Sequence, residues 1–283
     1  MNLSTDQGTP LLSAYSLVRR SGFLQTPLGR RLFKSAYFLY KRYVEDDLRE
    51  LLSTHPGIIG AGNVLDIGAN IGYTAAVLAR VAQAGRKVYA FEPEPFNFNL
   101  LQQTALQSEF AGKIVPMQSA VGTADGTIDL WINDRHHADH RVATEQFRSA
   151  HPASANPDSA HSPSNQVSVP LVSIDSFLQS NPGPVSFVKI DVQGYELAVC
   201  QGMADTLRQN PGIVIVLEFM PSAMRELGFD SSHLIDLFVE RDFKVYQVHP
   251  RGKLSSGIPD TMSNSSYCDL LFSRNPIPIG RDK

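Results

Sequence analysis

From residue 63 onward the chain switches between two hydrophobic rhythms. Short apolar runs read as strands: "NVLDIGA", "KVYAFEPEP", "KIVPMQSAVG", "FVKID" and "GIVIVLEF". Between them lie segments whose apolar residues recur at helical spacing: "NIGYTAAVLARVAQAG", "FNFNLLQQTALQSEF" and "GYELAVCQGMADTLRQN". The first of these puts Ile71, Leu78 and Val81 on one side and is closed by Gly85. Strands alternating with helices at these spacings predict right-handed crossovers and a parallel sheet, an α/β fold. Two later runs, "FKVYQVH" and "SYCDLLFS", are joined by a Gly/Pro/Ser-rich stretch at 250–266 with no helix between. Without a crossover helix they predict an antiparallel pair at the edge of the sheet.

Two regions break the rhythm. "GTIDLWI" (126–132) and "NQVSVPLVSI" (165–174) read as strands flanking a long polar insert, 133–164. A loop of that length in a compact domain is usually functional or disordered. Pro152, Pro157 and Pro163 mark 151–164 for disorder, and the insert is expected to be flexible. At the start, residues 1–30 are of mixed polarity, with breakers at Gly8, Pro10, Gly22 and Pro27, and predict poor order or short helices. "RRLFKSAYFLYKRYVEDDLRELL" then carries apolar residues at helical spacing, basic in its first half and acidic in its second. Two readings stay open for it. It is the solvated face of a packed helix, or it is a basic cap over a substrate channel or a peripheral contact with a membrane. The expected division is an N-terminal helical extension over 1–50, partly disordered, and one domain over 51–283.

Composition narrows the class. A chain of 283 residues suffices for one large α/β domain with an extension. A formal net charge of −3 argues against a nucleic-acid binder. No apolar run approaches the roughly 20 residues needed to span a bilayer. The N-terminus has no charged start followed by an apolar core, so a cytoplasmic location is expected. Cys200 and Cys268 fall in a predicted helix and strand, and read as two buried free thiols in a reducing compartment. The oligomeric state is not legible.

The candidate chemistry sits at strand ends, where a doubly wound sheet binds its ligands. The first strand runs into Asp66-Ile67-Gly68-Ala69-Asn70-Ile71-Gly72. Gly68 and Gly72 allow a tight turn close to a ligand, and the next helix aims free N–H groups at it. The loop lacks the dinucleotide glycine pattern, and Asp66 would repel a pyrophosphate, which argues against a nicotinamide dehydrogenase. The second strand ends in Glu92, placed to accept hydrogen bonds from vicinal ribose hydroxyls, with Pro93 and Pro95 stiffening the turn. Asp66 has a second reading as a helix cap, and Glu92 as a solvated turn carboxylate. Their joint occurrence at the first two strand ends points to S-adenosyl-L-methionine.

The blocks "VLDIGANIGYTAAVLA", "VYAFEPEPFNFNLL", "QSAVG", "VSVPLVSIDSFL" and "FVKIDVQGYELAVCQGM" resemble, in order and spacing, the FkbM-type S-adenosylmethionine-dependent methyltransferases over roughly residues 40–275. The resemblance implies a Rossmann-like sheet of seven strands, mostly parallel, with an antiparallel C-terminal edge strand and helices in front. It implies O-methylation of a sugar, glycan or natural-product hydroxyl, so the partner is a small-molecule or glycan acceptor. It implies that Asp66, Gly68, Ala69, Asn70 and Gly72 line the methionine end, and that Glu92, beside Pro93, holds the ribose. Ser119 and Ala120 would lie by the adenine, and Asp191 at the methionine and acceptor end.

A hydroxyl is a poor nucleophile, and a general base typically helps by roughly 10²–10⁴-fold. Asp191, at the end of the fourth strand, is the first candidate. Glu196 on the following helical turn is a second, with a helix cap or a pairing with Lys189 as its alternative. Glu218, ending the fifth strand, is a third. The family turn usually reads Asp-Val-Glu-Gly, and this chain reads Asp191-Val192-Gln193-Gly194. Gln has no base strength and is a weak ligand for hard cations. It suits a hydrogen-bonding role in the turn or on a substrate hydroxyl. A cofactor-binding protein without catalysis is the alternative that Gln193 raises. An N-methyltransferase would carry an Asn/Asp-Pro-Pro-aromatic turn where "DVQG" stands. "DRHHADHRV" sets His136, His137 and His140 beside Asp134 and Asp139. It offers a solvated loop, a substrate contact or base, or a metal site. No third ligand stands at a recognisable spacing, so no metal is assigned.

Overall fold

The computed structural model describes residues 26–44, 47–132, 140–151, 166–258 and 267–279. Helices α1 (Pro27–Val44) and α2 (Asp47–Thr54) lead into β1 (Asn63–Ile67), α3 (Tyr73–Val81), β2 (Val88–Phe91), α4 (Pro95–Ala105) and β3 (Ile114–Met117). Then follow β4 (Ala120–Val121), β5 (Gly126–Trp131), β6 (Arg141–Val142), α5 (Glu145–Ala150), β7 (Gln166–Val172) and α6 (Ile174–Ser180). The second half contains β8 (Val185–Ile190), α7 (Glu196–Gln201), α8 (Ala204–Gln209), β9 (Val214–Phe219), α9 (Pro221–Glu226) and α10 (Ser231–Val239). It closes with β10 (Lys244–His249), β11 (Lys253–Ser256) and β12 (Cys268–Ser273).

The main sheet has the order β11-β10-β12-β9-β8-β1-β2-β3. Strands β3, β2, β1, β8 and β9 run parallel. The order reverses beside β1: the chain moves outward to β2 and β3, then returns to β8 on the other side. Ligands bind at such a switch point. The two central strands, β1 and β8, are buried at every position. Alternate residues feed two apolar layers. Val64, Ala90 and Phe187 pack on one face, joined by Leu51 and Leu52 of α2. Leu65, Ile67, Val188 and Ile190 pack on the other.

The sheet departs from the seven-stranded expectation in two ways. Among the described residues it has eight strands, and β12 lies inside it, antiparallel to both β9 and β10. The edge belongs to β11, antiparallel to β10. The chain reverses at Arg251 and Gly252, with φ of 64° and 67°. That turn folds the start of a stretch read as loop back onto β10.

Two helices also differ from the periodicity. The helix expected from Asn70 begins at Tyr73, after a left-handed Gly72, and Val81 is 46% exposed. The single helix expected through 194–210 is two, α7 and α8, broken at Gly202 and Met203. A Cβ at Gly202 would overlap the Gly122 carbonyl oxygen, so the backbones meet where a side chain cannot fit.

The expected flanking strands β5 and β7 pair antiparallel from Gly126↔Leu171 to Trp131↔Gln166. With β4 and β6 they form a second sheet of order β4-β7-β5-β6. Part of the insert is regular: β6 pairs with β5, and α5 is capped by the Thr144 hydroxyl accepting from the Phe147 N–H. The disorder expected for 151–164 falls, beyond His151, outside the described residues, as do His136, His137, Asp134 and Asp139. Cys200 is buried and Cys268 partly buried, both as free thiols. Among the described residues no helix is long and apolar enough to cross a membrane.

Candidate active site

A cavity of about 510 Å³ opens over the carboxyl ends of β1, β2, β8 and β9. On its first side is the loop after β1. Gly68, Asn70 and Gly72 all have positive φ, of 83°, 49° and 89°. The N–H groups of Gly68 and Ala69 both donate to the Phe91 carbonyl, which ties the loop to the end of β2. Gly68 has a second constraint: a Cβ there would overlap the Asp191 carbonyl oxygen. Gly72 packs instead on α4, where a Cβ would press into Leu101 and Thr104. Gly68, Ala69 and Asn70 line the cavity; Asp66 and Gly72 do not.

Asp66 is 1% exposed and lies beneath the loop. Burial pushes its carboxyl up to about 7, against the pull of Lys189, with Asp191 adding to the rise. The Ala75 N–H, in the first turn of α3, also acts on it. Asp66 therefore lies below the loop that meets the cavity, while the helix that follows has Gly72 as its N-cap and no side-chain cap.

Glu92 does face the cavity, yet it is 6% exposed, so the solvated-turn alternative does not describe it. Its two oxygens each accept one backbone bond, from Asn70 N–H at 2.8 Å and Glu94 N–H at 2.9 Å. A carboxylate offers about four acceptor sites, so one remains on each oxygen. Burial pushes Glu92 up to about 8, although the Glu94 and Asn70 N–H groups favour its charge. Glu94 completes the turn by capping α4 through the Asn97 N–H. Pro93, Ser119 and Ala120 line the wall next to Glu92. The Ser119 hydroxyl and the Asn70 amide oxygen are buried without hydrogen-bond partners. Two orphaned polar atoms, spare acceptors on Glu92 and a cavity inside the roughly 300–1,000 Å³ range of small-ligand sites fit a nucleoside-bearing cofactor.

Across the cavity, Asp191 and Glu218 end the adjacent strands β8 and β9. Gln193 stands between them, held by the turn in a left-handed conformation with φ 54°. Its carboxamide nitrogen donates to Asp191 Oδ1 and to Glu218 Oε2, each at 2.9 Å. Both hydrogens of one NH₂ group are used, and Gln193 bridges two acids that would otherwise repel. Burial pushes Glu218 up to about 9, and Asp191 adds to the rise. Lys189 lies below, 8% exposed and 3.5 Å from Asp269. Burial disfavours its charge, but Asp269, Asp191, Glu218 and Asp66 outweigh that and hold it protonated.

Glu196 is the candidate that the structure sets apart. It is 1% exposed and absent from the cavity lining. Its Oε1 accepts from the N–H groups of Val192 and Gly194, which closes the turn that carries Gln193. Burial pushes its carboxyl up to about 7. Neither alternative describes it: the helix has no side-chain cap, Glu196 ties the turn ahead of it, and Lys189 pairs with Asp269.

Several further residues line the cavity, some from segments that the sequence marked only as open alternatives. Tyr37 and Lys41 reach in from α1, and Tyr195, Met220 and Tyr267 close other sides. Lys41 belongs to the basic helix; a stripe of cations on a helix that must pack was the available signal. His140 and Arg141, at the described end of the His-rich segment, also line the cavity. Among the described residues no group of three His, Cys, Asp or Glu side chains is arranged to hold a metal ion.

The hexuronic acid methyltransferase AglP of Haloferax volcanii is 28% identical over 153 residues. That alignment takes in 53% of this chain and 53% of AglP, so the chain spans about half the length of the curated relative it matches. Among solved structures, methyltransferase FkbM from Methylobacillus flagellatus KT has a TM-score of 0.48 at 16% identity, covering 93% of this chain and 58% of that one. A SAM-dependent O-methyltransferase from Thermotoga maritima has a TM-score of 0.40 at 12% identity, covering 83% and 67%. The family description of the methyltransferase FkbM domain matches residues 66–245, a span that contains Glu92, Asp191, Gln193 and Glu218. The chain belongs to the FkbM methyltransferase family.

Proposed function

We propose that this S-adenosylmethionine-dependent methyltransferase methylates a hydroxyl on a sugar, glycan or natural product. The carrying observation is the opposition, across one cavity, of Glu92 to the Asp191–Gln193–Glu218 trio. The AglP relative, named for a hexuronic acid, supports a sugar acceptor. Glu92 would take the ribose hydroxyls on its two spare sites, and Ser119 and Asn70 would offer their unpartnered oxygens to the rest of the nucleoside and methionine. When bound, S-adenosylmethionine supplies a methyl group on a cationic sulfur. Asp191 is the general base: its outer oxygen takes the proton of the acceptor hydroxyl as the oxygen–carbon bond forms and the carbon–sulfur bond breaks, which leaves the sulfur neutral. Glu218, with its raised carboxyl, holds a proton near neutrality and donates to the acceptor rather than competing for its proton. Gln193 fixes the inner oxygen of each, leaving the outer ones to the acceptor. Alignment of this kind is worth roughly 7–11 kcal/mol of barrier.

Calorimetry and turnover on a panel of hydroxylated acceptors test this reading. Glu92→Ala is expected to weaken adenosylmethionine binding at least about tenfold, since it removes the hydrogen bonds to the ribose hydroxyls, each worth about 0.5–1.5 kcal/mol. Asp191→Asn is expected to lower turnover by roughly 10²–10⁴-fold with far less change in cofactor affinity. Unchanged affinity in Glu92→Ala would refute the ribose assignment. Cofactor binding with no product on any acceptor would favour a binding protein that has lost catalysis.

A further inference from the structure

Helix α1 has two working faces. One is buried: Tyr37 packs with Ile71 and Leu100, Phe38 meets Tyr73 edge-on, and Tyr37 and Lys41 line the cavity. The other points to solvent and is not polar. Leu28, Leu32 and Leu39 are 62%, 53% and 59% exposed. At 100° per residue they fall within one narrow stripe, extended by the exposed Ala36. Arg31 and Arg42, also exposed, flank it along one edge. The helix PLGRRLFKSAYFLYKRYV carries Arg30, Arg31, Lys34, Lys41 and Arg42 and no Asp or Glu. It does so in a chain whose formal net charge is −3.

A leucine stripe edged by arginines, on a helix without acids, is the pattern of a helix lying in a bilayer interface. The leucines leave water for the acyl boundary while the guanidinium groups meet phosphates. Anionic lipid complements the helix charge and orients an otherwise acidic protein with α1 toward the surface. We propose that the exposed face of α1 docks the protein reversibly on an anionic lipid bilayer, which sets one wall of the cavity at the lipid surface. The inference goes beyond the methyl-transfer reading and does not depend on it.

Sedimentation of the full chain with vesicles tests it. Vesicles of phosphatidylcholine mixed with phosphatidylglycerol are expected to bind the protein at least about tenfold more tightly than phosphatidylcholine alone, and less tightly as salt rises. A Leu28→Ser/Leu32→Ser/Leu39→Ser variant and an Arg31→Glu/Arg42→Glu variant should each lose roughly tenfold in vesicle binding. Both should keep the parent's adenosylmethionine affinity by calorimetry, which shows that they are folded. If the triple variant fails that check, Leu39→Ser alone is read in its place. No sedimentation of the parent with the mixed vesicles overturns the proposal, as do variants that sediment like the parent. A leucine variant that instead converts a self-associated chain to monomer assigns the face to a second copy, and also overturns it. Failure of the parent to bind adenosylmethionine would sink the methyl-transfer reading and leave the vesicle result standing.

Discussion

At Gln193 a neutral side chain stands where the family usually carries an acid, and the geometry gives it a task that a carboxylate cannot perform. Both neighbours, Asp191 and Glu218, are acceptors, so the group between them must donate twice. A carboxyl can donate once at most, and only while protonated. Gln193→Glu is therefore expected to add negative charge to the pair, lose at least one of the two bonds and lower turnover by roughly tenfold or more, with little change in adenosylmethionine affinity. Unchanged turnover would mean that the amide exerts no control over the pair. The sequence made the departure at 193 visible and left its meaning open. The bond partner, Glu218, is 25 positions away, and no local pattern signals a contact across two strand ends. Glu92 was legible for the opposite reason: the end of the second strand is fixed by the fold itself.

Elements were legible where their own periodicity decides them. The five parallel strands lie within the apolar runs that predict them, because each must bury its surface in the same two layers, although the third run, read as one strand, divides into β3 and β4 in different sheets. Elements set by distant contacts were not legible. Strand β11 depends on a turn with two left-handed residues, and the break between α7 and α8 depends on Gly122, which approaches from another part of the chain. Gly202→Ala makes that dependence measurable. The added methyl meets backbone that cannot swing aside, and overpacking of this kind costs about 1–3 kcal/mol. The urea midpoint should fall with little change in slope. An unchanged midpoint would mean that the two backbones are free to separate.

On the scale of the whole molecule, the site concentrates buried carboxyls in one floor. Folding pushes Asp66 and Glu196 up to about 7, Glu92 to about 8 and Glu218 to about 9. Unfolded, all four titrate near about 4. Between those values the folded chain holds more protons than the unfolded one, so these groups favour folding fully only below about pH 4. Their contribution is lost as pH rises through 7–9. The ligand-free protein should accordingly melt at lower temperature as pH is raised from about 6 to about 9. Replacing Glu92 with Gln should flatten that fall, and a melting temperature that climbs over the same span would contradict it. The sequence showed acids at strand ends, but their burial, and hence this pH response, comes from packing that no spacing encodes. One contact in that floor has a wider consequence. Gly68 has no room for a side chain because the Asp191 carbonyl fills it, and the Asp191 N–H donates to Ile67. The loop after β1 and the end of β8 are thus locked backbone to backbone, so any side chain at position 68 would have to part the two strand ends that meet at the cavity.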